Sequence, residues 1–342
     1  MGWWDRVSSP SRRTRRLPPR ALLGVAVVLT ALAIPLFVGD RFWLNLLTLS
    51  WINLVAVLGL VLLFGHANQI SFGHAAFVGI GAYVSGLATM ELGVSLLVSV
   101  PLAMAVGWVV GYALARPVLR LHGLALAMAT LALGELFFIV FRELSITGGA
   151  NGLPGISPLV LGPLDLTAPE GAYWGTLAVA LATAVLCHNV IRSRVGRCLR
   201  AIGSAPTAAT VSGIDAASYK AAIFAFSTSL AALSGALYAH YVTFISSDSF
   251  GLPLSILLVI MVVVGGVRSL WGAAAATVGL TILPGYLGGY GEYSGLIYGA
   301  LLVLVFMYLS GGVAGLVETV NQELTRLSVP KRPQRSTPAE TR

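Results

Sequence analysis

The sequence predicts an all-α fold: a polytopic integral membrane helical bundle of about ten transmembrane helices, with both termini inside. Three observations predict it. Only 10% of the 342 residues are charged and 57% are hydrophobic, whereas a soluble domain carries about a quarter charged residues. Mean hydropathy is +0.86. The apolar residues fall into segments of roughly 20, the length at which a helix crosses a bilayer with its backbone satisfied internally.

In chain order the spans read 21–38, 42–64, 73–90, 95–115, 124–141, 173–191, 221–242, 254–265, 273–287 and 296–309. Before the first stand Arg12, Arg13, Arg15, Arg16 and Arg20. That layout also fits a signal peptide ending near Ala31-Leu32-Ala33. The apolar run continues through Ile34, Leu36 and Phe37, which favours an uncleaved helix. The eighth and ninth spans are short, which leaves broken or re-entrant helices open. The domain reading is a basic cytoplasmic tail (1–20), a transmembrane domain (21–311), and a basic C-terminal tail (318–342). The last is polar and Pro-containing and is expected to be disordered.

Charge sets the orientation. With the N-terminus inside, the inside segments are the two tails, 65–72, 116–123, 192–220 and 266–272. Of the 21 Lys and Arg, only Arg41 and Arg142 then fall outside, as the positive-inside rule requires. The net charge of +8 therefore orients helices and does not point to nucleic acid. Two connections exceed a turn, 143–172 outside and 192–220 inside, and long connections in compact proteins are often functional.

Several chemistries are missing. The two lysines, Lys220 and Lys331, do not follow the Gly-rich run of a phosphate-binding loop. This chain is expected to bind no ATP and to be no enzyme; ATP-driven work would need another subunit. Cys187 and Cys198 are too few for a metal cage, and a structural disulfide between them is not expected. No cofactor or metal is expected on this chain.

The most unusual stretch is 65–77. It places His66, Asn68, Gln69, Ser71 and His74 between two spans, then runs into Gly73, Gly79, Gly81 and Gly86. Polar, irregular backbone at a membrane is tolerated where it is buried or lines a cavity. One reading is a pathway-lining or gate segment; the other is a tight turn with close helix packing. His66 and His74 lack the i, i+4 spacing of a helical metal pair. Glu135 lies inside the fifth span. It could relay protons in a secondary transporter, or bond across to a neighbouring helix. Arg142 shares its face two turns on, about 10 Å away, too far for an ion pair.

Outside, Thr147, Gly148, Gly149, Asn151 and Gly152 form a loop free to take positive φ, read as a docking or gate loop or as a simple turn. Inside, Gly196, Arg197 and Arg200 precede Ala208, Ala209 and Gly213. A short helix ending at Gly213 would suit a groove on a soluble partner; the alternative is a basic segment on anionic lipid. A faint internal similarity links Phe64-Gly65-His66 and Gly73-His74-Ala75-Ala76 to Gly265-Gly266 and Gly272-Ala273-Ala274-Ala275, read either as a repeat or as chance likeness of small residues.

Five segments in this order carry a resemblance. They are Ser71-Phe72-Gly73-His74-Ala75-Ala76-Phe77-Val78-Gly79-Ile80-Gly81-Ala82-Tyr83; Gly123-Leu124-Ala125-Leu126-Ala127-Met128-Ala129-Thr130-Leu131, continuing to Glu135; Thr147-Gly148-Gly149-Ala150-Asn151-Gly152-Leu153; Gly196-Arg197-Cys198-Leu199-Arg200-Ala201-Ile202; and Ser255-Ile256 with Met261-Val262-Val263-Val264-Gly265-Gly266. Over about residues 40–310 the chain resembles the permease family of bacterial high-affinity branched-chain amino acid ABC importers, in its LivM-like branch. The resemblance implies a multi-pass permease of the bacterial inner membrane that translocates branched-chain amino acids by alternating access. It implies a second, similar permease, two cytoplasmic ATPase subunits that hold ATP and Mg, and an external solute-binding protein. Thr130 joins His66, Asn68, Gln69, Ser71, His74 and Glu135 as candidate pathway residues, and 192–220 matches the ATPase-coupling loop. Urea, short amides and small aromatic acids are alternative cargoes; a proton-coupled carrier and a passive channel are rival classes. The chain departs from the family at Gly203-Ser204-Ala205-Pro206, where relatives carry acids. It departs again at Arg268, Ser269, Gly272-Ala273 and Ala276, which replace a Gly, Ser and Gly-Pro pattern. These mark a divergent member.

Overall fold

The computed structural model describes residues 40–119, 121, 123–161, 164–288 and 294–308. The expected first span, the N-terminal tail and the C-terminal tail lie outside the described residues.

Helix α1 (Arg41–Ala67) starts at Asp40, whose carboxylate accepts from the Phe42 N–H at 3.0 Å. It stops at Asn68, which takes a left-handed conformation at φ 54°. Then follow α2 (His74–Glu91), α3 (Leu96–Val118), α4 (Leu124–Glu143) and α5 (Pro169–Arg192). Proline at the first position of α5 gives up an N–H that would have no helical partner. The short helices α6 (Arg194–Ser204) and α7 (Pro206–Val211) precede α8 (Ala216–Val242), α9 (Leu252–Gly265), α10 (Leu270–Leu287) and α11 (Ser294–Tyr308). Asp215 caps α8 by accepting from the Ala217 and Ser218 N–H groups. The Ser218 hydroxyl and these amides hold the Asp215 carboxyl below the usual carboxylate range. A depressed folded-state pKa makes the cap's contribution fully present above the ordinary aspartate range. It is lost only as pH falls through the lowered value.

Seven helical segments are long and apolar enough to cross a membrane: α1, α3, α4, α5, α8, α10, and Ser247–Gly265, which contains α9. Helix α2 has 18 residues too, but His74, Tyr83, Ser85 and Glu91 make it less apolar. The chain is a multi-pass membrane protein by these helices. Hydropathy clips polar helix ends, so α5, α8 and α10 begin four, five and three residues before the edges read from sequence at 173, 221 and 273. The connection 192–220 holds α6 and α7, the latter at the short helix expected before Gly213. Among the described residues, the 143–172 connection contributes to two small antiparallel pairs, β1 (Leu153–Pro154) with β4 (Phe244–Ile245) after α8, and β2 (Val160–Leu161) with β3 (Leu164–Asp165).

Helices α1 and α8 form the centre. Each buries 83% of its best spanning window, against 22% for α4 and 28% for α3 and α5. Contacts fix the directions. Ser234 Oγ donates to the Ile52 carbonyl at 2.7 Å and Tyr241 bonds Asn45, so α8 is antiparallel to α1. Thr228 Oγ1 donates to the Gly107 carbonyl and Ser229 Oγ to that of Met104, so α8 is antiparallel to α3. His74 meets Ser227 and Ser85 meets His240, so α2 and α8 are parallel. Helices α1 to α5 and α8 to α10 thus alternate up and down. The 68–73 turn, 192–215 and the α9–α10 turn share one face, with Arg116, Arg192, Arg194, Arg197, Arg200, Lys220 and Arg268 at or near it. The outer connection and the Thr243–Gly251 segment share the opposite face, with Arg41 and Arg142.

Glycine sets how closely these helices approach. A Cβ at Gly81 would lie 2.0 Å from the Ala232 carbonyl oxygen, and one at Gly235 1.8 Å from that of Val78. Helices α2 and α8 therefore touch backbone to backbone, as small-residue interfaces in membranes allow.

Candidate functional site

The turn from α1 into α2 is the best-built polar feature. His74 is fully buried. Its Nδ1 lies 3.0 Å from Ser71 Oγ and its Nε2 lies 2.8 Å from Ser227 Oγ on α8. Serine hydroxyls both donate and accept, so either ring tautomer is satisfied. The Phe72 N–H donates to Thr130 Oγ1 on α4 at 3.0 Å, and Thr130 Oγ1 donates to the Ala127 carbonyl. The Ala75 N–H donates to Ser255 Oγ on α9 at 3.1 Å. Gly73 allows the turn to reach α4, since a Cβ there would sit 2.4 Å from the Thr130 carbonyl oxygen. Three residues at the turn into α2, Phe72, His74 and Ala75, thus bond to α4, α8 and α9. We expect Ser227→Ala, which orphans a buried ring nitrogen, to cost about 1–3 kcal/mol. A lowered midpoint of thermal unfolding in detergent, partly restored by Thr at 227, checks this.

Nearer the basic face, His66 and Gln69 are buried, and His66 Nδ1 and Gln69 Oε1 have no hydrogen-bond partner among the described residues. Asn68 is exposed. Arg268 Nε donates to the Gly65 carbonyl at 3.1 Å. A Cβ on Gly65 would lie 2.2 Å from the Val267 carbonyl oxygen. The two glycine-containing segments that echo one another in sequence are therefore in contact here, and Arg268 ties the end of α1 to the α9–α10 turn.

Helix α6 rests on this face. Gly196, Leu199 and Ile202 are buried, while Arg197 and Arg200 are exposed. Their Nη1 atoms donate to the last carbonyls of α5, Arg197 to Arg192 at 3.1 Å and Arg200 to Ile191 at 3.0 Å. Gly196 has no room for a side chain, because a Cβ would lie 2.1 Å from the Ile191 carbonyl oxygen. Ala209 turns inward, Ala208 outward, and Val211 is 85% exposed. Gly213, at φ 81°, turns the chain into α8.

The outer loop is anchored at the other end. Thr147 is buried and donates to the Phe141 and Leu144 carbonyls. Gly148, Gly149 and Gly152 have positive φ, while Asn151 is exposed. Leu153 pairs with Ile245. His240 completes the anchor. Its Nδ1 lies 2.7 Å from the Ser157 carbonyl and its Nε2 2.7 Å from Ser85 Oγ, which in turn lies 3.0 Å from Ser99 Oγ. A carbonyl only accepts, so Nδ1 carries a proton.

The candidate residues thus fall into separate groups. Ser71, His74 and Thr130 form one hydrogen-bonded cluster, with His66 and Gln69 on the adjoining turn. The outer-loop residues and those of α6 and α7 sit at opposite ends. Glu135 joins none of them: it is exposed on α4 and has no hydrogen bond or ion pair among the described residues. The bond to a neighbouring helix read from sequence is not made to any of the described residues. Ser85, Ser99, Ser227, Ser255 and His240 were missed from sequence. A histidine inside an apolar span was the available signal for His240.

A family model described as the branched-chain amino acid transport system permease component matches residues 42–306. The chain belongs to that permease family. The permease is 29% identical over 314 residues to the Escherichia coli K12 high-affinity branched-chain amino acid transport system permease protein LivM, covering 84% of this chain and 73% of that protein. It is 26% identical over 294 residues to LivH of the same strain, covering 79% of this chain and 94% of LivH. No solved structure matches. In the permease, Arg268 is a departure with a visible role, the bond to Gly65.

Proposed function

We propose that this chain is one of two permease subunits in a bacterial inner-membrane ABC importer, carrying branched-chain amino acids by alternating access. Two cytoplasmic ATPase subunits would hold ATP and Mg, and an external binding protein would deliver cargo. The observation that carries this reading is the seating of α6. It lies on the basic face, joined by hydrogen bonds to the end of α5 and packed by Leu199 and Ile202 against the bundle near α1. A push on α6 would reach a central helix directly. Its exposed arginines and the exposed tip of α7 would form the ATPase-docking surface. The 71–75 cluster, bonded to three helices, would act as the hinge near the inner mouth. Nothing in this chain's motifs would hydrolyse ATP or hold a cofactor. The cargo is inferred from the names of LivM and LivH.

Reconstitution with both ATPase subunits, the second permease and the binding protein is expected to give ATP-dependent uphill leucine uptake in vesicles. The chain alone is expected to give none. Uphill accumulation by the chain alone overturns the proposal. Loss of a proton-driven flux in Glu135→Gln, with the ATPases irrelevant, would install the secondary-transporter alternative.

A further inference from the structure

Glu135 is the one Asp, Glu, Lys or Arg among the described residues that lies two turns or more from both ends of its helix. It is about 16 Å along α4 from Leu124 and about 12 Å from Glu143 at 1.5 Å per residue, so it sits deep in the bilayer core. It is exposed, and no group among the described residues bonds it. A carboxyl left against lipid tails costs about 2.5–3.5 kcal/mol or more, and such residues face protein or enclosed water instead. The face around it is wide: Met128, Leu131, Leu136, Ile139 and Val140 are all exposed. Helix α4 touches its own chain along the opposite side, through Thr130, Gly134 and Phe141. The open faces of α3 (Leu97, Leu102, Val109) and α5 (Trp174, Val185, Leu186) carry no charge at that depth and suit lipid.

We propose that the exposed face of α4 packs on the second permease subunit, with Glu135 hydrogen-bonded to a donor on that subunit's apposed helix. This rests on the reading of the chain as one of two paired permeases. A carboxyl with two oxygens and no partner among the described residues needs donors, and a second helix bundle supplies them in a layer where lipid does not. The leucine and methionine side chains beside it supply packing, and one interhelical hydrogen bond fixes which face is used.

A photo-cross-linking residue is placed at Leu131 or Ile139, and at Val109 or Val185 as controls, in membranes holding the complete transporter. The α4 positions are expected to give an adduct of two permease masses containing second-permease peptides; the controls give lipid adducts. Glu135→Leu is expected to lower co-purification of the second permease by about three- to thirty-fold, the range for one interhelical hydrogen bond, while Glu135→Gln retains the pair. Glu135 makes no hydrogen bond or ion pair with the described residues, so neither change removes a bond of the described fold. Lipid adducts alone at 131 and 139, or permease adducts at 109 or 185 instead, overturn the α4 assignment while co-purification and uptake leave the importer reading standing. Absence of any co-purifying permease together with ATPase-independent uptake overturns the importer reading itself.

Discussion

Gly235→Ala and Gly81→Ala are each expected to remove most of the folded permease from the membrane. The reason is the neighbour that a methyl group would meet. At Gly235 it is the Val78 carbonyl oxygen at 1.8 Å; at Gly81 it is Ala232, with its carbonyl oxygen at 2.0 Å and Cα at 2.4 Å. These are backbone atoms, which cannot rotate aside as a side-chain end can. Nor can the two helices slide apart freely. His74 holds Ser227 and Ser85 holds His240, so the contact is pinned at both ends. Overpacking a fitted interior costs about 1–3 kcal/mol and occasionally more, and separating α2 from α8 would strain or break both histidine bonds as well. We expect a loss at or above the top of that range, seen as a sharp fall in detergent-stable protein and in uptake. Gly279→Ala is the matched control, because no atom lies within 4 Å of its would-be Cβ. Normal yield and uptake from Gly235→Ala would mean that α2 and α8 are farther apart than described.

This interface shows what the sequence could and could not reveal. The run Gly79, Gly81 and Gly86 announced a helix meant for close contact. It could not name the partner, because Ala232 and Gly235 lie some 150 residues away, and small residues mark tolerance without direction. The same holds for His74: its polarity inside an apolar stretch drew attention, but the serine that satisfies it is 153 residues on. Helices α1, α3, α4 and α5 were legible because bilayer thickness forces long apolar runs whatever they pack against. Helix α6 was not, since at 11 residues it is shorter than a span. Its apolar residues Val195, Leu199 and Ile202 recur at helical spacing among arginines, so no bulk hydropathy marks it. Glu135 was legible as unusual, but its outward-facing position on the bundle required the packing of α4 to be known.

Reversing two charges on α6, Arg197→Glu with Arg200→Glu, is expected to leave the permease folded and to uncouple ATP hydrolysis from transport. The fold survives because the side of α6 that touches the bundle is Gly196, Leu199 and Ile202, which the change leaves alone. The guanidiniums do cap the Ile191 and Arg192 carbonyls, yet both arginines are exposed, so water can take their place. Two carboxylates at the C-terminal end of α5 would also oppose its dipole by about 0.3–1 kcal/mol each, a modest penalty against the packed bundle. The surface offered to an ATPase changes far more, from two positive groups to two negative ones, at positions where a rim charge governs recognition and encounter. In the complete transporter we expect uptake to fall more than about tenfold, the effect of about 1.4 kcal/mol lost from docking. Hydrolysis should persist without responding to the loaded binding protein. Arg197→Lys with Arg200→Lys separates charge from geometry: it keeps the sign of the surface but loses the planar fork that reaches the α5 carbonyls. Uptake restored by the lysines assigns the effect to docking; uptake lost in both variants assigns it to the α5–α6 junction. Normal co-purification and uptake in the glutamate variant would take the coupling role away from the α6 arginines and leave the exposed tip of α7 as the docking element.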